Sequence, residues 1–390
     1  MRIAAASTEP GVTAERPRVA LVQWRGAIGG AEALAVALAA AFGRLGVTPE
    51  VVFVTDGEPL SSRLVEAGVK FRSLRFERGR DIVRHARRYA AAVTDSGPDG
   101  VLLPECGFAG VALRAGGYRG KIVAVEHGAL LFEGRRSARS RVLRRVSRLA
   151  ASVSDDVEVG VSDFMIDRMR DARSGPLARR IAKARLTRIY NGVDPARFRK
   201  RSADQRLPGA ATVVGFAGRL IPGKGADDLI GALARSGRDP GVRLRIAGDG
   251  PEQMRLRAIA SRLGIADRVE FLGMIDDLPG FWGECDLAAV PSHEFVESFG
   301  MTALEAMACA MPVVATRNGA LPELVRDGLT GTIVAPGDVE GLRRALVAYA
   351  ENSALRDRHG LAGRARVIER FGIDDCARSY LRCLGLAHDG

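Results

Sequence analysis

The sequence has few cysteines, and their arrangement suits neither a metal site nor a disulfide framework. Its 390 residues include five cysteines: Cys106, Cys285, Cys309, Cys376 and Cys383. None forms a CxxC pair and no cluster of histidines lies near them, which disfavours a zinc site and a disulfide-stabilised secreted fold. We expect these thiols to be small buried hydrophobic residues.

Long apolar runs are also missing from the chain. The opening segment MRIAAASTEPGVTAERP has no continuous apolar stretch of the kind found in signal peptides. A run of about 18 uncharged apolar residues, the length that could span a bilayer, does not occur either. We therefore expect a cytoplasmic protein, with the inner face of the membrane as an alternative place of action.

Aromatic residues are scarce, at 5% of the chain, whereas apolar residues make up 47%. This composition favours aliphatic cores of the kind that parallel sheets use. Short β-branched runs such as RVALVQW, KIVAVEH, TVVGFAG and VRLRIAG alternate with helical patterns such as AEALAVALAAAFGRLG in both halves of the chain. The pattern predicts an α/β protein with two Rossmann-like, doubly wound domains that face each other across a cleft.

Domain boundaries follow from a change in composition. The segment NGVDPARFRKRSADQRLPGA is rich in proline, glycine and charge and lacks apolar periodicity. We predict a flexible N-terminus (1–17), a first domain (18–195), a linker (196–210), a second domain (211–372) and a C-terminal helical segment (373–390) that can cross back to the first domain.

Positive charge is concentrated in the first half of the chain. Residues 1–190 hold 32 Lys and Arg against 20 Asp and Glu, whereas the other 200 residues hold 26 of each. Part of this excess falls in a basic amphipathic pattern whose arginines include Arg135, Arg136, Arg139, Arg144 and Arg145. Two interpretations stay open: a solvated helix face, or a surface that docks an anionic membrane or an acidic acceptor.

Two carboxylates, Glu297 and Glu305, lie in the apolar segment VESFGMTALEAMACAMPVVA with seven residues between them. We expect a helix to begin at Ser298–Gly300, and Glu305 to lean back toward that helix start. Free amides at a helix start attract phosphate, and carboxylates accept hydrogen bonds from paired sugar hydroxyls. Two acids at such a place are equally good helix-capping groups, so the spacing alone leaves both roles open.

A glycine-rich loop, GFAGRLIPGKGADDLI, follows a predicted strand and carries Arg219 and Lys224. Two cations in such a loop can neutralise the charge that grows on a departing diphosphate. A pair of solvated surface charges is the alternative.

These motifs together resemble a known family. GFAGRLIPGKGADDLI, LRIAGDGPE, VEFLGMIDDL and the segment from VPSHEFVESFG to GTIVAPGD are similar, in order and spacing, to the C-terminal half of the retaining GT-B glycosyltransferases of family 4. The similarity covers residues 186–345 strongly and the first half more loosely. One departure is Ala310, which stands where the family often has glycine.

The resemblance implies a donor site in the second domain for a nucleotide-diphospho-sugar. It implies that Arg219 and Lys224 bind the diphosphate, that Glu305 binds the ribose hydroxyls and that Glu297 binds the sugar ring. The amides near Gly300 and Met301 would assist, and the residues bordering the base would be Met274, Ile275 and Leu278.

In the first domain the resemblance rests on shorter segments. It implies that Gly29 and Gly30 in RGAIGGAEALA let the backbone approach the diphosphate and the sugar, and that His127 faces the donor sugar. Taken alone, these glycines suit helix packing and His127 suits a structural role.

Three further places have open or minor roles. Ser162 and Asp163 fit a family turn or a helix cap. We expect Asn191 and Asp194 to shape the hinge, and His293 to be a loop residue or a site residue.

The implied activity is a glycosyltransferase that retains the anomeric configuration, with His127, Arg219, Lys224 and Glu297 as catalytic groups. Its partners would be a UDP- or GDP-type donor and an acceptor, anionic or lipid-linked, held by the basic first domain. We expect no cofactor, no metal and no nucleic acid.

The alternatives are a GT-B sugar-nucleotide epimerase and a catalytically silent binding protein, whereas a nicotinamide dehydrogenase is disfavoured because GxGxxG is missing. We expect His85, His359 and His388 to be surface residues.

Overall fold

A computed structural model describes most of the chain. The described residues are 15–26, 29–77, 81–128, 138–199, 211–237 and 241–387, and the side chains of residues 31, 138–141, 143 and 144 are not included. The predicted N-terminal segment up to residue 14, most of the linker (200–210), Arg135, Arg136 and His388 therefore lie outside the described residues. The side chains of Arg139 and Arg144 lie outside them as well.

The first sheet contains seven parallel strands in the order β3-β2-β1-β4-β5-β6-β7. In chain order these are Arg18–Gln23, Thr48–Phe53, Lys70–Ser73, Gly100–Leu103, Lys121–Glu126, Val157–Gly160 and Arg185–Arg188. Its helices α1 to α8 are Gly30–Arg44, Leu60–Glu66, Asp81–Arg84, Ala86–Thr94, Phe108–Ala115, Ala138–Ser154, Asp163–Ala172 and Pro176–Ile181.

The second sheet contains six parallel strands in the order β10-β9-β8-β11-β12-β13. Its strands β8 to β13 are Thr212–Ala217, Val242–Ala247, Val269–Gly273, Leu287–Val290, Val313–Thr316 and Gly331–Val334. The helices α9 to α16 are Ala226–Arg235, Gln253–Arg262, Leu278–Gly283, Met301–Ala308, Leu321–Leu324, Val339–Glu351, Ser353–Arg370 and Ile373–Leu384.

The central strands of both sheets are buried on both faces, as their aliphatic sequences predict. Strand β4 and strand β12, for example, are buried along their whole length. The strand order reverses between β1 and β4 in the first sheet and between β8 and β11 in the second. The prediction of two doubly wound domains is confirmed, and ligand sites of such sheets lie where the order reverses, beyond the carboxyl ends of the strands.

The last helix of the chain packs on the first domain. Arg44 of α1 pairs with Asp374 of α16, and Tyr380 and Leu384 of α16 are buried in the core of the first domain. The chain thus passes between the domains twice, and the two passages touch in a parallel bridge between Val193 and Gly372. None of the helices in the described part of the chain combines the length and the apolar composition needed to cross a bilayer.

Two local features correct or complete the sequence predictions. Ala310 takes a left-handed conformation with φ of 55°, so the helix end keeps the geometry for which glycine is usual. His359 was predicted at the surface, and this was wrong: it is 6% exposed and its Nδ1 lies 2.8 Å from the hydroxyl of Tyr349. Burial lowers the pKa of His359, because an apolar environment disfavours the charged ring.

Candidate active site

The loops after β8 and β11 bring a cation and a carboxylate into direct contact. The Lys224 Nζ atom lies 2.7 Å from Glu297 Oε1, and both side chains are largely buried. The hydroxyl of Ser292 donates to the same carboxylate oxygen at 2.7 Å. Two of the residues selected from the sequence therefore form one hydrogen-bonded unit beyond the carboxyl ends of the central strands of the second sheet.

Close backbone packing holds these two loops together. Gly223 and Gly225 have φ of 82° and 76°, a region in which glycine is favoured. A Cβ on Gly225 would lie 2.0 Å from the carbonyl oxygen of Pro291, so no larger residue fits there without a shift. The Gly223 carbonyl accepts hydrogen bonds from the amides of His293 and Phe295, at 2.9 and 3.1 Å.

Arg219 joins this unit through an aromatic ring. The Lys224 Nζ atom lies 3.7 Å from the centre of the Phe295 ring, and the Arg219 guanidinium carbon lies 5.8 Å from it. Both distances are within the range of cation–π attraction. Both cations therefore lie near the Phe295 ring.

Helix α12 begins directly after this loop. Gly300 caps it in the left-handed region with φ of 105°, and the Thr302 hydroxyl donates to the Ala217 carbonyl at the end of β8. A Cβ on Gly300 would lie 2.7 Å from the Leu321 side chain. The first free amides of α12, near Met301, therefore come directly after the loop that carries Glu297.

Glu305 lies within α12 and is buried, with 7% of its surface exposed. Burial raises its pKa to about 7, and the indole of Trp282 and the charge of Arg197 oppose this shift only in part. The Trp282 indole N–H has no hydrogen-bond partner of good geometry in the described part of the chain, so its effect on the carboxylate is weak. The structure does not bring Glu305 into contact with Lys224.

The residues expected to border a base differ in exposure. Met274 is 59% exposed, whereas Ile275 and Leu278 are partly buried against the hydrophobic core. Asp277, between them, accepts a hydrogen bond from the Gly280 amide at 2.9 Å and so caps α11.

The first domain approaches this site through its own loops. A Cβ on Gly30, at the start of α1, would lie 3.3 Å from Met301 Cγ, so the glycine-rich loop faces the start of α12. The Ser298 hydroxyl donates to the His127 carbonyl at 2.7 Å, and the Ser162 hydroxyl donates to the Ser298 carbonyl at 2.7 Å. Candidate residues of both domains thus meet around Ser298 and Met301.

A further contact between the domains was not foreseen from the sequence. The carboxylate of Glu323 accepts the amides of Asp163 and Phe164 at 2.8 Å each, and so covers the N-terminus of α7 from the other domain. Ser162 caps the same helix by accepting the Met165 amide at 3.1 Å. Glu323 follows a proline in GALPELV, and nothing in that local pattern signals a partner in another domain.

His127 is an uncharged residue at neutral pH. Burial lowers its pKa to about 4, because the protonated ring is disfavoured away from water. The side chain lines a small space together with Leu34 of α1 and Tyr380 of α16. A neutral imidazole offers one donor and one acceptor to a ligand.

The remaining candidates have local partners. His293 Nδ1 lies 2.8 Å from Asp228, and these two residues with Asp227 form a group that could hold a metal ion, although Asp227 also pairs with Arg255. Asn191 is buried near the hinge, and Asp194 accepts the Ala196 amide at 2.9 Å.

In α6, Arg145 is exposed, and three valines of the same helix are also exposed: Val142 by 61%, Val146 by 52% and Val153 by 43%. These three valines are therefore not covered by the described residues.

Comparison with known proteins assigns the chain to a family. Residues 198–366 match the family model for glycosyl transferases group 1, and residues 28–197 match that for Glycosyltransferase Family 4. A GDP-mannose-dependent alpha-(1-6)-phosphatidylinositol monomannoside mannosyltransferase of Mycolicibacterium smegmatis is 35% identical over 275 residues, which cover 67% of this chain and 68% of that protein. A D-inositol 3-phosphate glycosyltransferase of Saccharomonospora viridis is 41% identical over 185 residues, which cover 43% of this chain and 42% of that protein.

Solved structures agree with this assignment. The crystal structure of Anabaena HepE in complex with UDP and glucose matches with a TM-score of 0.77 and 25% identity, over 95% of this chain and 99% of that chain. WaaG, a glycosyltransferase involved in lipopolysaccharide biosynthesis, shares the fold, with a TM-score of 0.67 and 16% identity over 95% of this chain and 100% of that chain. This chain therefore belongs to the group 1 glycosyltransferases and is a glycosyltransferase of the GT-B fold.

Proposed function

We propose that this glycosyltransferase takes a sugar from a UDP- or GDP-linked donor and passes it to an anionic acceptor held by the first domain. The observation that carries the donor assignment is the Lys224–Glu297 pair beside the start of α12. Cations and free helix amides suit a diphosphate, and a carboxylate suits sugar hydroxyls. The HepE crystal structure contains UDP and glucose, and the mycobacterial relative is GDP-mannose-dependent, so both donor bases are retained in the proposal.

In this proposal Lys224 and Arg219 bind the diphosphate. An ammonium group has three donors, so Lys224 can keep its bond to Glu297 and still donate to a phosphate oxygen. Both cations lie near the Phe295 ring, and this contact would limit the reorganisation needed when charge builds on the leaving group.

The acids would bind the two sugars of the donor. Glu297 would accept hydrogen bonds from hydroxyls of the transferred sugar, and Ser292 and Lys224 orient its carboxylate for this role. Glu305 would bind the ribose, with Met274, Ile275 and Leu278 bordering the base. In the first domain, Gly29 and Gly30 would approach the diphosphate, and neutral His127 would hydrogen-bond to the sugar or the acceptor.

We further propose that the reaction retains the anomeric configuration and uses no metal. The bond between the anomeric carbon and the diphosphate oxygen breaks, and a bond to the acceptor oxygen forms on the same face of the sugar. The acceptor proton passes to the departing diphosphate. Arg219, Lys224 and the start of α12 would stabilise the charge on that group.

A thermal-shift panel tests the donor assignment. UDP, GDP, ADP and dTDP, each with and without a sugar, are compared, because a ligand that binds the native state raises the melting temperature. We expect a UDP or GDP compound to give the largest shift. Incubation with donor alone, followed by product analysis, should give no epimer, and an epimer would support the epimerase instead.

The acceptor is proposed to carry a phosphate or to lie in an anionic membrane. Both relatives described above are named for phosphorylated inositol acceptors, and α6 exposes Arg145 together with Val142 and Val146. A basic helix with exposed apolar side chains suits peripheral contact with anionic lipid. Action at the inner face of the membrane follows from this proposal.

Vesicle sedimentation tests the membrane proposal. Binding to phosphatidylserine-containing vesicles should fall at least about tenfold between low salt and about 0.5 M salt, because screening weakens surface charge attraction. Arg145→Glu with Val146→Ser should weaken binding, whereas Arg243→Glu, an exposed residue of the second domain, should weaken it less. Binding that is insensitive to salt would contradict the proposal.

A further inference from the structure

A second cavity lies in the first domain, on the face of the sheet opposite to the His127 side chain. Its volume is about 500 Å³, and helices α6, α7 and α8 form its walls. Glu158 of β6 pairs in register with Ala124 of β5, and Glu126 is two residues beyond Ala124, so both acids project from the same face. His127, the next residue, projects from the other face toward α1 and α16.

The wall of this cavity contains a buried carboxylate oxygen with no partner. Glu158 is 4% exposed, and its Oε2 atom lies 2.6 Å from Nη2 of Arg173. Its Oε1 atom is buried and makes no hydrogen bond within the described part of the chain. Burial raises the pKa of Glu158, which Arg173 opposes. A buried acceptor without a donor is costly, so this oxygen favours a ligand that donates a hydrogen bond.

The charged groups around the cavity are balanced. Three guanidinium groups and three carboxylates line it: Arg145, Arg148, Arg173, Glu126, Glu158 and Asp171. Such a lining offers many donors and acceptors but little net attraction for an anion or a cation. Leu149 and Met169 add an apolar wall. A sugar or cyclitol ring has hydroxyl groups at its edge and C–H groups on its faces, and both match this lining.

We propose that the cavity binds a neutral polyhydroxylated small molecule, a mono- or disaccharide or a cyclitol, at a site separate from the donor site. Its volume lies in the range of small-molecule sites, about 300 to 1,000 Å³. The ligand's hydroxyls donate to Glu158 Oε1, and the guanidinium groups donate to the ligand's oxygens.

The cavity is connected to the active site by one turn. Glu126 Oε1 accepts the Gly128 amide at 2.9 Å, and the His127 carbonyl between them accepts the Ser298 hydroxyl from the second domain at 2.7 Å. A polyol that bonds to Glu126 therefore contacts the carboxylate that orients the His127 turn.

Isothermal titration of the full chain tests the proposal. The probes are D-glucose, D-mannose, maltose and myo-inositol, with inorganic phosphate and sulfate as anionic comparators. Leu177→Trp narrows the cavity, because Leu177 lines it and is 61% exposed, so the larger ring is tolerated in folding. Glu158→Gln changes the acceptor itself. Leu361→Trp in α15, at a residue that is 64% exposed, is the matched control.

We expect at least one neutral polyol to bind saturably to the wild type and to Leu361→Trp. Leu177→Trp should weaken this binding at least about tenfold, and Glu158→Gln at least about fivefold, since each removes space or a charged hydrogen bond. Three results would overturn the proposal: no polyol binds up to about 50 mM, only the anions bind, or both cavity variants bind as the wild type does.

Discussion

The two domains contribute to the cleft in different ways. The second domain supplies side chains that already bond to one another, such as Lys224, Glu297 and Ser292. The first domain meets the neighbouring residues Ser298 and Met301 mainly through backbone groups, namely the carbonyl of His127 and the loop at Gly30. The second domain thus holds a preorganised polar unit, whereas the first domain supplies backbone groups that contact the adjoining start of α12.

The same contrast appears in the buried charges. Near the candidate donor site a lysine and a glutamate form a close pair, while in strand β6 of the first domain one oxygen of Glu158 has no hydrogen-bond partner among the described residues. Paired charges suit a site whose ligand brings its own charge, and an unmet acceptor suits a ligand that brings hydroxyls.

The proposed role of the second domain is tested most directly by a substitution of Lys224. We expect Lys224→Ala to lower kcat by about 100- to 1,000-fold, the usual loss when one group that stabilises transition-state charge is removed. KM for the donor should change less, because Arg219 and the α12 amides remain. Steady-state kinetics with a donor found in the thermal-shift panel measure both values.

Lys70→Ala is the matched control, since Lys70 is exposed on the edge strand β3. Glu297→Gln should lose a similar factor, and the double variant should lose less than the product of the two single losses, because the residues act as one unit. Turnover like the wild type in Lys224→Ala would end the proposal for this pair.

The protonation of Glu305 provides a second test of the buried charges in the second domain. Its pKa is about 7 when folded and about 4.3 when unfolded, so the folded state holds an extra proton between these values. Stability contributed by this group therefore falls as pH rises through this window, and the loss is complete above pH 7. Glu305→Gln does not titrate, so its stability relative to the wild type should rise by up to about 3 kcal/mol between pH 5 and pH 8.

Urea unfolding at both pH values measures this difference. Glu351→Gln, at an exposed residue of α14, should show no such pH-dependent gain. Parallel pH profiles for Glu305→Gln and the wild type would show that Glu305 is charged at neutral pH when folded.

Glu323 tests how the first domain is held against the second. We expect Glu323→Ala to raise the donor KM about fivefold and to speed hydrogen exchange at the amides of Asp163 and Phe164 about tenfold, because each amide loses a charged acceptor worth about 1.5 kcal/mol. Glu351→Ala, at an exposed acid of α14, is the control. Unchanged exchange at these two amides would mean that the contact does not hold the domains together in solution.

Much of the fold was predictable because parallel strands and their helices leave strong local patterns. The motif residues Lys224 and Glu297 were predictable because each lies in a short loop after a strand, and such loops converge at one edge of a doubly wound sheet. The partners of these loops were not predictable. Glu323 acts on a helix 160 residues away in the sequence, and no local pattern records that distance.

The second cavity was missed for a similar physical reason. Glu126 and Glu158 belong to strands whose sequences are mainly apolar. The register of these strands places both acids on one face of the sheet, near Arg173, and this register is not visible in the sequence. His359 was misjudged because a histidine in a charged helix, SALRDRHGLAGRARVIER, looks exposed until its tyrosine partner is known.

The position of α16 has a consequence for the order in which the protein is made. Tyr380 and Leu384 complete the interior of the domain that is synthesised first, yet they are synthesised only after every strand of the second domain. The second domain has all of its strands available before that moment. The first domain should therefore complete its interior only after the strands of the second domain have been synthesised, although its own strands come earlier in the chain.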